Sequence, residues 1–161
     1  MATNIKKKEV ILILHNIRSA YNVGSIFRTA DAAGVSKIYL SGYTPAPINN
    51  FKKENKMIIK TALGAEKSIP WNKISNIGDL IKNLNKEKIE IVALEQSKKS
   101  INYKKFKRKN KIAIILGNEV NGISKAILDK CDKIIDIPMK GKKESLNVSV
   151  AAGVALFEII R

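Results

Sequence analysis

The feature that most constrains this chain is a set of short apolar runs with almost no polar residue inside them. Residues 10–14 (Val-Ile-Leu-Ile-Leu) and 112–116 (Ile-Ala-Ile-Ile-Leu) are unbroken, and 89–94 is interrupted only by Glu90. A strand wetted on one face alternates apolar and polar residues, whereas a strand covered on both faces does not. These runs are too short for buried helices and read as strands of an internal sheet, with shorter ones at 37–40 and 133–137. Between them the spacing turns helical. Ile26, Ala30 and Ala33 share a face within 25–33, which Gly34 terminates; Ile77, Leu80, Ile81 and Leu84 face inward within 76–85; a short helix follows at 124–130 and a last one at 145–160. Strands alternating with helices predict an α/β fold: a mostly parallel sheet flanked by helices.

The remaining segments read as connections. Residues 15–24 have loop character, and 61–70 hold a short strand or turn. Residues 41–56 carry Pro45, Pro47, Asn49 and Asn50, then Lys52, Lys53 and Lys56, and read as a mobile basic loop. Residues 97–111 are strongly basic and read as exposed. A length of 161 residues suits one domain, and no internal repeat or second domain is visible.

Composition removes several function classes. His15 is the only histidine and Cys131 the only cysteine, so there is no internal disulfide and no ligand set with metal spacing. No apolar run approaches a membrane span, and the polar, basic residues 1–9 are unlike a secretory signal, so a reducing, cytoplasmic setting is expected. Neither GxGxxG nor a Walker A loop occurs. The formal net charge of +16 points to a polyanion such as nucleic acid, because neutralising phosphates releases counterions; a general abundance of Lys, Asn and Ile offers a second account of it. Only Arg18, Arg28, Arg108 and Arg161 are arginines, and a guanidinium kept in a lysine-rich chain suggests a need for its planar fork.

Three segments carry candidate chemistry, each where a strand ends, the place open α/β sheets put ligands. The first holds Asn22, Gly24 and Ser25 and then Arg28, Thr29 and Ala30; Asn22 or Ser25 could cap the helix that carries Arg28. The second follows a buried strand: Leu116, Gly117, Asn118, Glu119, Asn121, Gly122, Ser124. Gly117 permits close approach, and Glu119, an acid in a basic chain, could bind Arg28, a ribose or an ammonium group. The third runs from Ile137, Pro138 and Met139 through Gly141 to Ser145, Leu146, Asn147 and Ser149. It opens the last helix, with Ser145 or Asn147 as cap, where free N–H groups could hold an anion.

In order, spacing and position, the three segments resemble the SpoU/TrmH branch of the SPOUT RNA methyltransferases, and the resemblance covers nearly the whole chain. It implies a parallel α/β domain whose C-terminal part, here about 112–161, threads a deep trefoil knot, a topology composition could not reveal. It implies S-adenosyl-L-methionine as cofactor, with backbone near Gly117, Ile137 and Leu146 holding its adenine and ribose. It implies a homodimer in which each active site can draw on both subunits. The reaction implied is methylation of a ribose 2′-hydroxyl of tRNA or rRNA, with Arg28 as the central catalytic residue supported by Asn22, Glu119, Ser145 and Asn147. A guanidinium with a pKa above ~12 is a poor base, so Arg28 is expected to bind the adjacent phosphate and stabilise the developing oxyanion. Without the RNA-binding extensions of many relatives, 1–161 is expected to be one methyltransferase domain that grips RNA through 50–56 and 98–111. A different class, a non-catalytic RNA-binding protein retaining the knotted fold, and a different product, a methylated base, are the competing readings.

Overall fold

The computed structural model describes residues 8–161; most of the basic segment 1–9 lies outside the described residues. The chain alternates strands and helices in the order β1 (Glu9–His15), α1 (Ala20–Ala33), β2 (Lys37–Ser41), α2 (Lys56–Ala62), α3 (Ala65–Ser68), β3 (Trp71–Ile74), α4 (Ile77–Lys86), β4 (Glu90–Leu94), β5 (Ile101–Asn102), β6 (Lys111–Leu116), α5 (Lys125–Leu128), β7 (Lys133–Asp136) and α6 (Val148–Ile159). The strands form one seven-stranded sheet in the order β3-β2-β1-β6-β4-β7-β5, every pairing parallel. The expected mostly parallel α/β sheet is therefore present. No described helix is long and apolar enough to cross a membrane.

The apolar runs are continuous because both faces of the sheet are covered. Along β1, Val10, Leu12 and Leu14 enter a core shared with α1 and α6 through Ile26, Phe27, Ala152 and Leu156. Ile11 and Ile13 point the other way, into a core built with Leu80, Ile81 and Leu84 of α4. The central strands end level: Leu14 pairs with Leu116, and Leu94 pairs with both Leu116 and Ile135. The loops leaving β1, β6, β4 and β7 thus emerge side by side, and this register positions the site.

Local signals account for most helix ends. Asn76 caps α4 by accepting from the Asp79 N–H, and Asn147 caps α6 by accepting from Ser149 and Val150 N–H. Gly34, at φ 80°, ends α1 in the left-handed conformation as expected. The start of α1 differs from expectation. It begins at Ala20 with Ser19 as cap, not with Asn22 or Ser25. Asn22 and Gly24 weaken the helical signal, but Val23 and Gly24 are buried, and a Cβ at Gly24 would strike Thr61 Oγ1 and Ile58 O of α2. Helix packing there requires a glycine that propensity alone would place in a loop.

Within 61–70, read as a short strand or turn, the chain forms the end of α2 and the four-residue helix α3 instead, and most of α2 and all of β3 lie where no element was assigned. Helix α2 is seven residues long and buries only Ile58 and Ala62. Strand β3 pairs along one side only, with β2, and mixes Trp71 and Ile74 with Asn72 and Lys73. The loop expected to be mobile carries an internal frame: Asn49 Oδ1 accepts from the Phe51 and Lys53 N–H groups, and Asn55 N–H donates to Pro47 O. Within 97–111 the lysines from Lys98 to Lys109 are exposed as expected, but Tyr103 and Phe106 pack partly onto the core.

Candidate functional site

The level strand ends bring the second and third segments together around one cleft of about 450 Å³, with Gly117, Glu119, Ile137, Ser145, Leu146 and Asn147 on its walls; no residue of the first segment, Asn22 included, lines it. The segment after β6 is folded tightly. Asn118 and Gly122 exchange backbone hydrogen bonds in both directions, at 3.2 and 3.0 Å, and Asn118 Oδ1 accepts from the Val120 and Asn121 N–H groups. Gly117 is buried, and a Cβ there would lie 2.5 Å from Ile123 Cγ1 and 2.7 Å from the Gly122 carbonyl carbon. Glycine is required because the loop folds back on its own start.

Glu119 ties this loop to the start of α1. Its Oε2 accepts from Arg18 N–H at 3.0 Å, and its Oε1 accepts from Ser19 N–H at 3.0 Å and from Asn22 Nδ2 at 3.1 Å. Partial burial works to raise the pKa of this carboxyl. The N–H groups of Arg18, Ser19 and its own residue, with the Asn22 amide, outweigh that and hold it below the usual glutamate range. The carboxylate therefore stays ionised and acts as a clamp; its lone pairs face donors already in place. Asn22 passes the link onward, its Oδ1 accepting from Asn147 Nδ2 at 3.2 Å. Asn147 spends its own Oδ1 on Ser149 N–H, Ser149 Oγ–H and Val150 N–H. One chain of contacts, Glu119 to Asn22 to Asn147, thus joins residues about a hundred and more positions apart in sequence.

Arg28 stands elsewhere. It is exposed on a different face of α1, bordering a shallow hollow with Ser25, Thr29, Lys60, Leu63 and Phe157, and does not line the cleft. Of the partners considered for Glu119, Arg28 is therefore not the one found; the donors at the start of α1 occupy it.

The polar pair after β4 went unremarked in the sequence reading. Glu95 and Gln96 leave β4 and line the cleft. Glu95 Oε2 accepts from Ile123 N–H at 2.9 Å, and Gln96 Nε2 donates to Glu144 O at 2.6 Å. The signal was present, since both are polar residues directly after a buried strand, the pattern that singled out Gly117 to Gly122. Asn16, at φ 53°, accepts from Tyr43 N–H through Oδ1 and, through its carbonyl, from Asn118 Nδ2. His15, expected as a loop residue, is the last residue of β1; its Nδ1 bonds Ser41 Oγ at 2.8 Å, and burial lowers its pKa. Burial, with Asp132 alongside, pushes the Cys131 thiol up to about 11, so it is protonated at neutral pH and no nucleophile.

Comparison with known proteins places this geometry in context. The 23S rRNA (guanosine-2′-O-)-methyltransferase RlmB of Escherichia coli K12 is 34% identical over 151 residues, covering 94% of this chain and 59% of that protein. The chain thus spans less than two thirds of such curated relatives, and the Xylella fastidiosa RlmB gives the same picture, with 34% identity over 58% of its length. Among solved structures, the A. aeolicus TrmH/SpoU tRNA modifying enzyme superposes with a TM-score of 0.81 at 32% identity, covering 94% of this chain and 74% of that one. An AdoMet-bound rRNA methyltransferase from Sinorhizobium meliloti gives 0.85 at 29% identity, covering 94% and 56%. The profile of the SpoU rRNA Methylase family matches residues 9–157, so that nearly the whole chain, all three candidate segments included, belongs to the SpoU rRNA methylase family.

Proposed function

We propose that this chain is an S-adenosyl-L-methionine-dependent RNA methyltransferase acting on a ribose 2′-hydroxyl of tRNA or rRNA. The observation that carries the reading is the Glu119–Asn22–Asn147 chain of hydrogen bonds, which ties the start of α1 to the two segments that form the cleft. The cleft fits the cofactor: about 450 Å³ lies within the range of small-molecule sites, and its walls combine apolar Leu94, Ile137 and Leu146 with polar Gln96, Asn118 and Ser145. Gly117, Ile137 and Leu146 would hold adenine and ribose. When bound, the cofactor supplies an electrophilic methyl group on a sulfonium.

The chain's own residues do the positioning. Glu119 and Asn22 fix the start of α1 against the cleft, and Asn147 fixes the start of α6. Much of the acceleration comes from holding the 2′-oxygen in line with the methyl group. Glu119, already accepting from three donors of α1 and its approach and held ionised, serves as scaffold, not as base. Arg28 binds the phosphate beside the target ribose and stabilises the oxygen as its proton leaves.

Arg28 does this in a homodimer. On α6, Val150, Val154 and Phe157 are 51%, 38% and 57% exposed and lie at helical spacing on one stripe, and Phe157 borders the Arg28 hollow. A helix this apolar on its outward face calls for a partner. A second copy packed there would set Arg28 beside a cleft it does not line in its own subunit. The trefoil knot belongs to the same reading. Strand β6 lies between β1 and β4, β7 lies beyond β4, and α6 returns to pack on α1, an order that leaves the segment 138–147 to thread past the loops after β4 and β6 in this reading. The whole chain then acts as one methyltransferase domain of the cytoplasm, with RNA gripped by its basic segments.

Isothermal titration with S-adenosylmethionine, together with mapping of alkali-resistant positions in treated RNA, tests the activity. The proposal predicts cofactor binding and one resistant position. Absence of cofactor binding favours a non-catalytic RNA-binding protein, and methylation without alkali resistance favours a base methylase.

A further inference from the structure

The loop 43–56 and the edge strand β3 enclose a second, open groove of about 1130 Å³ that plays no part in the cleft chemistry. Its composition is specific. Tyr43 and Trp71 line it together with Lys53, Lys56 and Lys73, against a single carboxylate, Glu54. Period-two geometry puts Trp71 and Lys73 on the same face of β3, toward the loop. Tyr43 is 58% exposed, and at the loop tip Phe51 is 91% exposed between Asn50 and Lys52. Exposed aromatics of this size on a monomer mark a contact surface, and these stand among lysines.

The groove is framed. Lys73 Nζ donates to Gly42 O at 2.7 Å and to Thr44 O, tying β3 to the loop. Thr44 Oγ1 donates to Leu14 O and accepts from Ile17 N–H, tying the loop to the end of β1. Asn49 Oδ1 holds the tip that presents Phe51. The groove also adjoins the cleft, because Asn118 Nδ2 of the cleft wall donates to Tyr43 Oη at 2.8 Å.

We propose that this groove binds an unpaired nucleotide of the RNA strand next to the one whose ribose enters the cleft, with its base stacked on Trp71 and Tyr43 and the following base on Phe51. Lys53 and Lys56 take the phosphates between them. Aromatic faces accept any base but only when the base is unstacked, so the surface selects single-stranded over paired RNA. This rests on the methyltransferase reading for the identity of the neighbouring nucleotide; the stacking surface itself does not need it.

Trp71 is the only tryptophan and lines the groove while packing partly on the core, so quenching of its fluorescence by added RNA reads the groove with no second indole. A single-stranded oligoadenylate should quench it, and a duplex of equal length should not. Phe51→Ala, a change at an exposed tip that leaves the core intact, should weaken single-strand binding by about fivefold to a hundredfold, the range base–aromatic stacking covers. Binding seen by anisotropy with no quenching, or equal quenching by duplex, overturns the proposal. S-adenosylmethionine titrated into the same sample reads the other question separately: quenching without cofactor binding leaves the stacking surface standing and removes the methyltransferase reading.

Discussion

The two ends of helix α1 are built for different neighbours. At its start, Ser19 and Asn22 are bonded to Glu119 and Asn147 of the cleft walls. Two turns further on, Arg28 lies open beside Phe157 on a face that nothing in its own subunit covers. The contrast teaches that one helix can serve two surfaces. Its first turn is bonded to the loops that form the cleft, and in the proposed dimer its middle would offer a cation to the partner's cleft.

Breaking the outward end should have the largest effect on activity and almost none on folding. Arg28→Ala is expected to lower kcat/KM by about 10³-fold, the scale of losing a donor aimed at developing negative charge, with Tm unchanged because the side chain is exposed. Methyl transfer to RNA followed with labelled cofactor measures it. Arg28→Lys should recover little, since an ammonium lacks the planar fork; near-full activity would refute the assignment to the guanidinium. Next in size, Phe157→Glu places a charge on the apolar stripe. It should convert dimers to folded monomers by size-exclusion chromatography and lower activity about a hundredfold, by removing the same contribution of Arg28.

Breaking the inward end should cost stability as well as rate. Glu119→Gln keeps the shape but turns one acceptor into a donor facing the N–H groups of Arg18 and Ser19. A loss of about 1–2 kcal/mol is expected, discounted for partial exposure, which lowers Tm by a few degrees in a domain of this size. The sign with pH follows from the lowered carboxyl pKa. The stabilisation is fully present above the unfolded glutamate value of about 4.3 and fades as pH falls through the lower folded value. The wild-type Tm advantage over Glu119→Gln should therefore shrink on acidification below about pH 4. Smallest of the set, Asn147→Ala removes the α6 cap and should cost about 1 kcal/mol in thermal or urea unfolding.

How much was legible in the sequence follows the same division. The inward site was readable because it hangs on strands buried on both faces, whose apolar runs show directly where the loops Gly117–Gly122 and Ile137–Asn147 must emerge. The cap at Asn147 was one of two local options and the structure selects it. Less was readable where tertiary contact overrides local preference. Gly24 disguises the start of α1 because its reason for being glycine lies in α2, at Thr61 and Ile58. Helix α2 and strand β3 bury too few residues to leave a periodic trace. The outward face of Arg28 was invisible in the sequence, since six residues along a helix set direction only once the helix is known to begin at Ala20.

The most direct test mixes two inactive variants, Arg28→Ala and Leu146→Arg, the second blocking its own cleft from the wall, under conditions that exchange subunits. If Arg28 serves the cleft of its partner, each mixed dimer regains one intact site, and a statistical mixture should recover about a quarter of wild-type activity. No recovery, with mixed dimers demonstrated in the sample, would contradict the account and return Arg28 to its own subunit or to no site at all.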